Sequence, residues 1–307
     1  MISTERLTEI CEFKKENGVE KTLERFGILK ESLSRYERAY AALKGDKRMP
    51  KILTFDVETS PNIGAFWSPW KTNINSSQII RPWHLLTWSA KWLGQDEILH
   101  DRLTGRDAAM GKDYSIALSL RNLIDGADIV IAHNGKKFDV KRLNTRLLVN
   151  NIPQPSPYRV VDTLQAVKKQ FAFTYNNLDY LVKTLVEISN GKTETDMGLW
   201  LNAIEGDDAA LEDMDKYCQN DVLILEELYL RIRGWIPGHP NIGVYTDDNE
   251  PVCHVCGSPN IVKSNGLHVT QVGRYETYRC KDCGAYSKVR QTSLDNDKRV
   301  NLLTRIP

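Results

Sequence analysis

The 307-residue chain has little net charge, few cysteines and no long apolar run. Its 41 lysines and arginines face 40 aspartates and glutamates, which leaves a formal net charge of +1. Such a balance exerts no global pull on a polyanion, so any affinity for nucleic acid must come from local patches. Low net charge beside an ordinary 41% hydrophobic content excludes disorder as the overall state. No segment approaches the ~18–20 apolar residues of a bilayer span, so no membrane partner is expected. The opening residues Met1-Ile2-Ser3-Thr4-Glu5-Arg6 lack an apolar signal core. The expectation is a cytoplasmic chain that is not secreted. Internal repeats and low-complexity tracts are absent, and the length predicts roughly two domains.

The six cysteines are unevenly placed. Cys253-His254-Val255-Cys256-Gly257 and Cys280-Lys281-Asp282-Cys283-Gly284 are two C-x-x-C-G knuckles separated by 23 residues. In a cytosolic chain this pattern points to zinc before disulfides. The glycine after each pair permits the tight turn that aims two thiolates at one ion. Residues 252–291 therefore predict a zinc ribbon, with one Zn²⁺ held by Cys253, Cys256, Cys280 and Cys283. Four thiolates close the coordination sphere, so the site is structural. A redox dithiol pair and free thiols are the other readings, with His254 and His268 as alternative ligands. Segments 267–272 and 275–279 alternate like strands. Basic and aromatic residues interleave from Lys263 to Arg290, a pattern that suits nucleic acid but also fills a thin ribbon core or docks protein. Cys11 and Cys218 fall in predicted helices and read as core residues. The polar tail after Gln291 reads as frayed.

Residues 1–45 predict helices. Apolar positions recur through Leu7, Ile10, Cys11 and Phe13, then Val19, Leu23 and Phe26, then Ile28, Leu33 and Tyr36, with Gly18 and Gly27 between the runs. Helix, glycine turn, helix is the order of a helix-turn-helix, and residues 19–36 resemble that motif in regulators and recombinases. On that likeness Lys30, Ser32, Ser34 and Arg35 would face a major groove. The other reading is a three-helix hairpin packed on the next domain or a partner. Residues 44–50 form a charged linker, and 239–251 form a second one. Between them, 51–238 read as an α/β domain. A strand opens it at 51–59, and two or three more lie between Ala65 and Leu103, the clearest in the Trp-rich stretch 83–93. Then come a helix at 114–125, a strand at 128–133, a helix at 138–150, a short strand at 159–162, and helices to Trp235. Early antiparallel strands followed by alternating strands and helices predict a mixed sheet flanked by helices.

Three acidic constellations stand out in this domain. Asp56 and Glu58 are two residues apart on a predicted strand, so both side chains share one face. Side by side they repel and lose hydration, a penalty that a divalent cation reverses; a bare strand-end pair is the bland alternative. Asp139 falls in the first turn of a helix after His133-Asn134-Gly135-Lys136-Lys137-Phe138, where the helix dipole favours it. It also lies just past the end of a sheet strand, where α/β proteins place their sites. Tyr217 and Asp221 are i and i+4 on one helix face. Asp162, in Val160-Val161-Asp162-Thr163, reads as a strand end or helix cap.

In this order the three pieces resemble the DEDD superfamily of 3′–5′ exonucleases, which includes polymerase proofreading domains and has a ribonuclease H-like fold. The family's D-x-E motif matches Asp56-Val57-Glu58. Its second motif matches His133-Asn134 through Phe138-Asp139. In the third, Tyr217 stands four residues before Asp221 and Lys216 five before, which matches the tyrosine subclass. The resemblance covers roughly 51–238, and no polymerase-sized region follows, so a stand-alone nuclease is expected. It implies hydrolysis of DNA phosphodiesters from the 3′ end by a two-metal mechanism. Two Mg²⁺ or Mn²⁺ ions would be held by Asp56, Glu58, Asp139 and Asp221, with Asp56 bridging them. Tyr217 would orient the attacking water, since a phenol of pKa near 10 is a poor base at neutral pH. Thr59, Asn134 and Phe138 would contact the terminal nucleotide. The implied partner is nucleic acid, single-stranded DNA or duplex ends, with a replication or repair protein as a further partner. Two alternatives stay open: an exoribonuclease of the same family, and a non-catalytic nucleic-acid-binding adaptor.

Overall fold

The computed structural model describes residues 3–28, 33, 36–37, 40, 49–68, 70, 73–186, 196–246 and 250–304. The chain divides into two compact units. One comprises 1–44 with 51–229, the other 45–50 with 230–307.

The first unit is built on a five-stranded sheet, β1 (Ile52–Thr59), β4 (Leu85–Trp92), β5 (Ile98–Arg102), β6 (Ile129–Ala132) and β7 (Arg159–Asp162), in the order β5-β4-β1-β6-β7. β4 runs antiparallel to β1 and β5, whereas β6 and β7 run parallel to β1 and to each other. The sheet is therefore mixed, with β1 at its centre. A two-stranded ribbon, β2 (Ile63–Gly64) and β3 (Ile79–Arg81), projects from the β1–β4 connection. Among the described residues, the helices of this unit with full ranges are α1 (Thr4–Asn17), α2 (Val19–Phe26), α3 (Gly105–Met110), α4 (Tyr114–Asp125), α5 (Asp139–Val149), α6 (Thr163–Gln170), α7 (Leu178–Leu185) and α8 (Met197–Glu205); α9 (Asp208–Ile232) runs on past the boundary at Tyr229.

β1 shows why a central strand carries the site. Leu53, Phe55 and Val57 point to one face and join Leu120, Ile124, Leu143 and Leu147 in the main core. Thr54, Asp56 and Glu58 alternate onto the other face. Cross-strand partners share a face, so Ser89 opposite Asp56 and Thr87 opposite Glu58 extend this polar face, and Lys91 continues it along β4. Helix α9 lies over that face. Thr87 Oγ1 donates to Asp215 at 2.8 Å, Cys218 Sγ lies 3.5 Å from the Asp56 carbonyl oxygen, and Lys91 pairs with Glu226. The three ties span ~16 Å of helix against ~13 Å of strand, so helix and strand run side by side in one phase.

The predicted α/β elements are found, with ends moved by one to three residues for most of them. Strand 159–162 and helix 114–125 fall where the sequence places them. Two features differ from expectation. In α2 it is Thr22 that is fully buried, its hydroxyl bonded back to the Gly18 carbonyl at 2.6 Å, while Leu23 is only half-buried. The tail after Gln291 is not simply frayed: α10 (Asn296–Val300) forms there because Asp295 caps it, accepting from Lys298 N–H at 2.6 Å. The proposed groove-facing residues Lys30, Ser32, Ser34 and Arg35 lie outside the described residues, as does the linker up to position 48.

In the second unit β8 (Ile261–Val269), β9 (Arg274–Cys280) and β10 (Tyr286–Lys288) form an antiparallel three-stranded sheet in the order β10-β9-β8. Among the described residues, Cys253, Val255, Cys280 and Ala285 form one small buried cluster, and Ile232 and Ile242 are also buried. No helix among the described residues is long and apolar enough to cross a membrane.

Candidate metal centres

Asp56 and Glu58 on β1 meet Asp221 on α9. One carboxylate oxygen from each lies within 4.8 Å of the others. Asp139 approaches from α5. It lies outside the 4.8 Å group but is close enough to Asp56 for the two carboxyls to interact electrostatically. Its Oδ1 is buried without a hydrogen-bond partner among the described residues. Burial, followed by the charges of Asp139, Glu58 and Asp221, lifts the Asp56 carboxyl far above the ordinary carboxylate range; a hydrogen bond from Cys218 opposes this. Burial also pushes Asp139 up to about 7, against hydrogen bonds from its own N–H and that of Val57.

Four acids drawn from three elements thus crowd into one half-buried pocket, at an electrostatic cost that grows as they ionise. Cations relieve that cost. Every donor is a carboxylate oxygen, a set that suits hard ions such as Mg²⁺ or Mn²⁺. An orphaned Asp139 oxygen in the same pocket fits a missing ligand partner.

Tyr217 stands one turn before Asp221, buried, with its ring packed edge-on against Trp200 at 6.4 Å between centroids. Burial and the charges of Asp221 and Glu58, together with a hydrogen bond to Asp221, raise its phenol well above the usual tyrosine value. The hydroxyl stays protonated and serves as a hydrogen-bond donor, not as a base.

The loop that presents Asp139 is built by residues whose importance the sequence hid. Asp162 does cap α6, accepting from Gln165 N–H at 3.1 Å. The same carboxylate also accepts from Asn134 and Lys136 N–H, each at 3.1 Å. It therefore clamps the β6–α5 loop. Asn134 adopts φ 71°, and at Gly135 a Cβ would lie 2.4 Å from that of Ala132, so only glycine fits. His133 is held by Thr163 Oγ1 and the Asn176 carbonyl, both at 2.9 Å. Of the expected substrate contacts, Thr59 is buried at the end of β1, and Asn134 and Phe138 flank the Asp139 loop. Cys218, read from the sequence as a core residue, is fully buried, and its sulfur also lies 3.6 Å from an Asp56 carboxylate oxygen.

In the second unit the four knuckle thiols converge, with sulfur atoms within 4.8 Å of one another. Gly257 and Gly284 both adopt the left-handed conformation, φ 71° and 75°. Burial raises Cys280, but N–H donors from Cys283 and Asp282 outweigh it and bring the thiol to about 7. His254 and His268 stand outside the cluster. His254 Nδ1 bonds Ser287 Oγ at 2.7 Å, and His268 tilts against Tyr275. A set of four converging sulfur donors fits zinc. Part of the basic-aromatic surface is occupied internally: Lys288 lies 4.0 Å from the Tyr275 ring centroid, and Lys263 pairs with Glu276.

Comparison with known proteins bears on the first unit. A family model described as the RNase_H superfamily matches residues 102–233, a span that includes Asp139, Tyr217 and Asp221 and leaves out Asp56 and Glu58. Among solved structures, the family B DNA polymerase from the hyperthermophilic archaeon Pyrobaculum calidifontis is similar at 16% identity and a TM-score of 0.43. That likeness covers 62% of this chain but only 26% of the polymerase. No curated protein matches the sequence. The fold is thus a ribonuclease H-like mixed sheet flanked by helices, joined to a four-cysteine module consistent with a zinc ribbon.

Proposed function

We propose that the chain is a metal-dependent 3′–5′ exonuclease of the tyrosine subclass of the DEDD superfamily, acting on DNA. One observation carries this reading: Asp56, Glu58 and Asp221 bring oxygens within 4.8 Å of one another, with Asp139 beside them interacting electrostatically with Asp56. Acids that are 165 positions apart along the chain, Asp56 and Asp221, meet here at an electrostatic cost that a bound cation would relieve.

Asp56, Glu58, Asp139 and Asp221 would hold two Mg²⁺ or Mn²⁺ ions. When bound, the cations neutralise charge on the phosphodiester and activate water. The remaining work belongs to the chain. Tyr217 would orient the attacking water through its hydroxyl, with Trp200 fixing the ring. The Asp162 clamp holds the loop so that Asp139 enters the cluster at a set angle. Thr59, Asn134 and Phe138 seat the terminal nucleotide. In the second unit Cys253, Cys256, Cys280 and Cys283 would hold one structural Zn²⁺, and the exposed basic and aromatic surface of the sheet would help to hold a strand. Convergence of the acids argues against a silent adaptor, which has no use for so costly a cluster.

A labelled-strand assay tests the reading. A single strand labelled at its 5′ end and given Mg²⁺ or Mn²⁺ should shorten in single-nucleotide steps from the 3′ end. Internal cuts, or no cutting with either metal, would overturn it. An RNA strand run in parallel decides between deoxyribonuclease and exoribonuclease.

A further inference from the structure

Between β1 and β4 the chain leaves the sheet at residues 60–84, and this excursion carries side chains that the carboxylate chemistry does not use. Trp67 is fully exposed, Trp70 is 81% exposed, and Phe66 and Ile80 are more than half exposed. Large aromatics ordinarily bury most of their surface, so indoles displayed in this way point to a ligand.

The excursion is not a loose loop. Ser60 N–H donates to the His84 carbonyl and His84 N–H to Ser60 Oγ, both at 2.9 Å. Trp83 N–H donates to Asn62 Oδ1 at 3.0 Å. Farther out, Ala65 N–H donates to the Gln78 carbonyl at 2.9 Å, and Gln78 Nε2 returns to the Ala65 carbonyl at 3.0 Å. The neck begins at Ser60, two residues after Glu58, so the base of the excursion starts beside the acidic pocket.

A second line of contacts reaches the neck from the other side of that pocket. Phe138 immediately precedes Asp139. The Arg142 guanidinium lies 4.9 Å from the Phe138 ring centroid and 4.0 Å from that of Trp83. Arg146 follows at 5.8 Å from Trp83. A guanidinium stacked on aromatic rings still offers its edge donors to a phosphate. Rings and cations thus run without a break from Asp139 to the base of the excursion.

We propose that this ledge and excursion form the track for an unpaired nucleic-acid strand, with bases stacked on Trp67 and Trp70 and a backbone phosphate held by Arg142. The proposal rests on the nuclease reading of the carboxylates and adds where the strand runs behind its 3′ end. Alternating π-faces and cations match a polynucleotide, whose bases all stack and whose phosphates repeat. Continuity with the acidic pocket favours the substrate over a protein or a second copy of the chain.

The test is binding, measured apart from turnover. In an Asp56→Ala background, fluorescence anisotropy follows a labelled 12-nucleotide oligothymidylate. Trp67→Ala/Trp70→Ala should weaken binding roughly tenfold or more, since each stacked base contributes on the order of a tenfold change. Arg142→Gln should lower the slope of log Kd against log salt by about 0.7, the loss of one phosphate contact. Thermal melting checks that each variant is folded, and both tryptophans are exposed enough to be replaced without harm to the core. Unchanged affinity in the folded double-tryptophan variant overturns the track. So does a change in oligomeric state with affinity intact, which would make the patch a contact between copies. The nuclease reading fails separately: tight binding that depends on the tryptophans, with no hydrolysis by the native chain, would leave the track standing and remove the exonuclease.

Discussion

At the scale of single residues, the account turns on what each acid and the tyrosine do. Asp56 touches Asp139, Glu58, Asp221 and Cys218 through charge or hydrogen bonds, so it is the hub of the cluster. Asp56→Ala should bring strand hydrolysis below detection while melting and circular dichroism remain native. Tyr217→Phe keeps the ring against Trp200 and removes only the donor. Its expected cost is on the order of 10²-fold in kcat, the usual scale for lost positioning. A Tyr217→Phe rate equal to that of the native chain would deny the hydroxyl any role. Away from the cluster, Asp113 is fully buried. Burial raises its pKa, but hydrogen bonds from Arg146, Asn150 and the Leu85 N–H outweigh it and hold the carboxyl below the ordinary range. An acid depressed in the native state binds fewer protons there than in the unfolded chain. Its stabilisation is therefore complete above the unfolded value of about 3.9 and is lost as pH falls through the lower native value. Asp113→Asn should lower stability at neutral pH and flatten the acid limb of a urea-denaturation series. An acid limb as steep as the native one would remove this assignment. Asp56 and Asp139 have the opposite sign, since burial raises both, so only the difference between native chain and variant isolates Asp113.

At the scale of elements, the site is held by the phase of α9 over β1 and β4. Lys91 and Glu226 lock that phase through an ion pair whose side chains are 10% and 9% exposed. Glu226 also accepts from the Gly94 N–H at 3.1 Å. Lys91→Met leaves Glu226 buried without its cation, and the expected loss is about 3–5 kcal/mol by chemical denaturation. Adding Glu226→Leu should recover much of it, because both charges are then gone. A double variant no better than the single would mean that the ion pair itself, not relief of a stranded charge, sets the stability. Sequence reading reached the elements but not these ties. Alternation around Asp56 and Glu58 was legible because Phe55 and Val57 are so plainly core residues, and the Tyr217–Asp221 spacing was legible because it is local to one helix. The Lys91–Glu226 pair spans 135 positions, and the Asp113–Arg146 pair joins the residue that precedes α4 to α5, 33 positions on. Nothing in either neighbourhood announces its partner. Asp162 was legible as a cap because its cap contact is local; its grip on Asn134 and Lys136 depends on β6 and β7 lying side by side.

At the scale of the whole molecule, two units carry two donor chemistries, oxygen in the first and sulfur in the second. The cysteine spacing gave the second almost completely, because knuckle geometry is encoded within five residues. The exposed Trp67 and Trp70 of the β1–β4 excursion were not legible, since a lone tryptophan in sequence reads as core until its exposure is known. The second unit has a small buried cluster among its described residues, so on the proposed reading a zinc ion would supply much of its stability. Native protein should contain one tightly held zinc per chain by elemental analysis, and a strong chelator should remove it together with the β-signal of residues 230–307. Protein free of zinc with that signal intact would dismiss the ribbon.

The claim on which the rest depends is that acids from β1, α5 and α9 share divalent cations. Anomalous diffraction from crystals soaked in Mn²⁺ tests it most directly. The account predicts manganese peaks bounded by Asp56, Glu58, Asp139 and Asp221, lost in Asp56→Ala crystals. A featureless pocket in well-soaked native crystals, with the four carboxylates ordered, would contradict it.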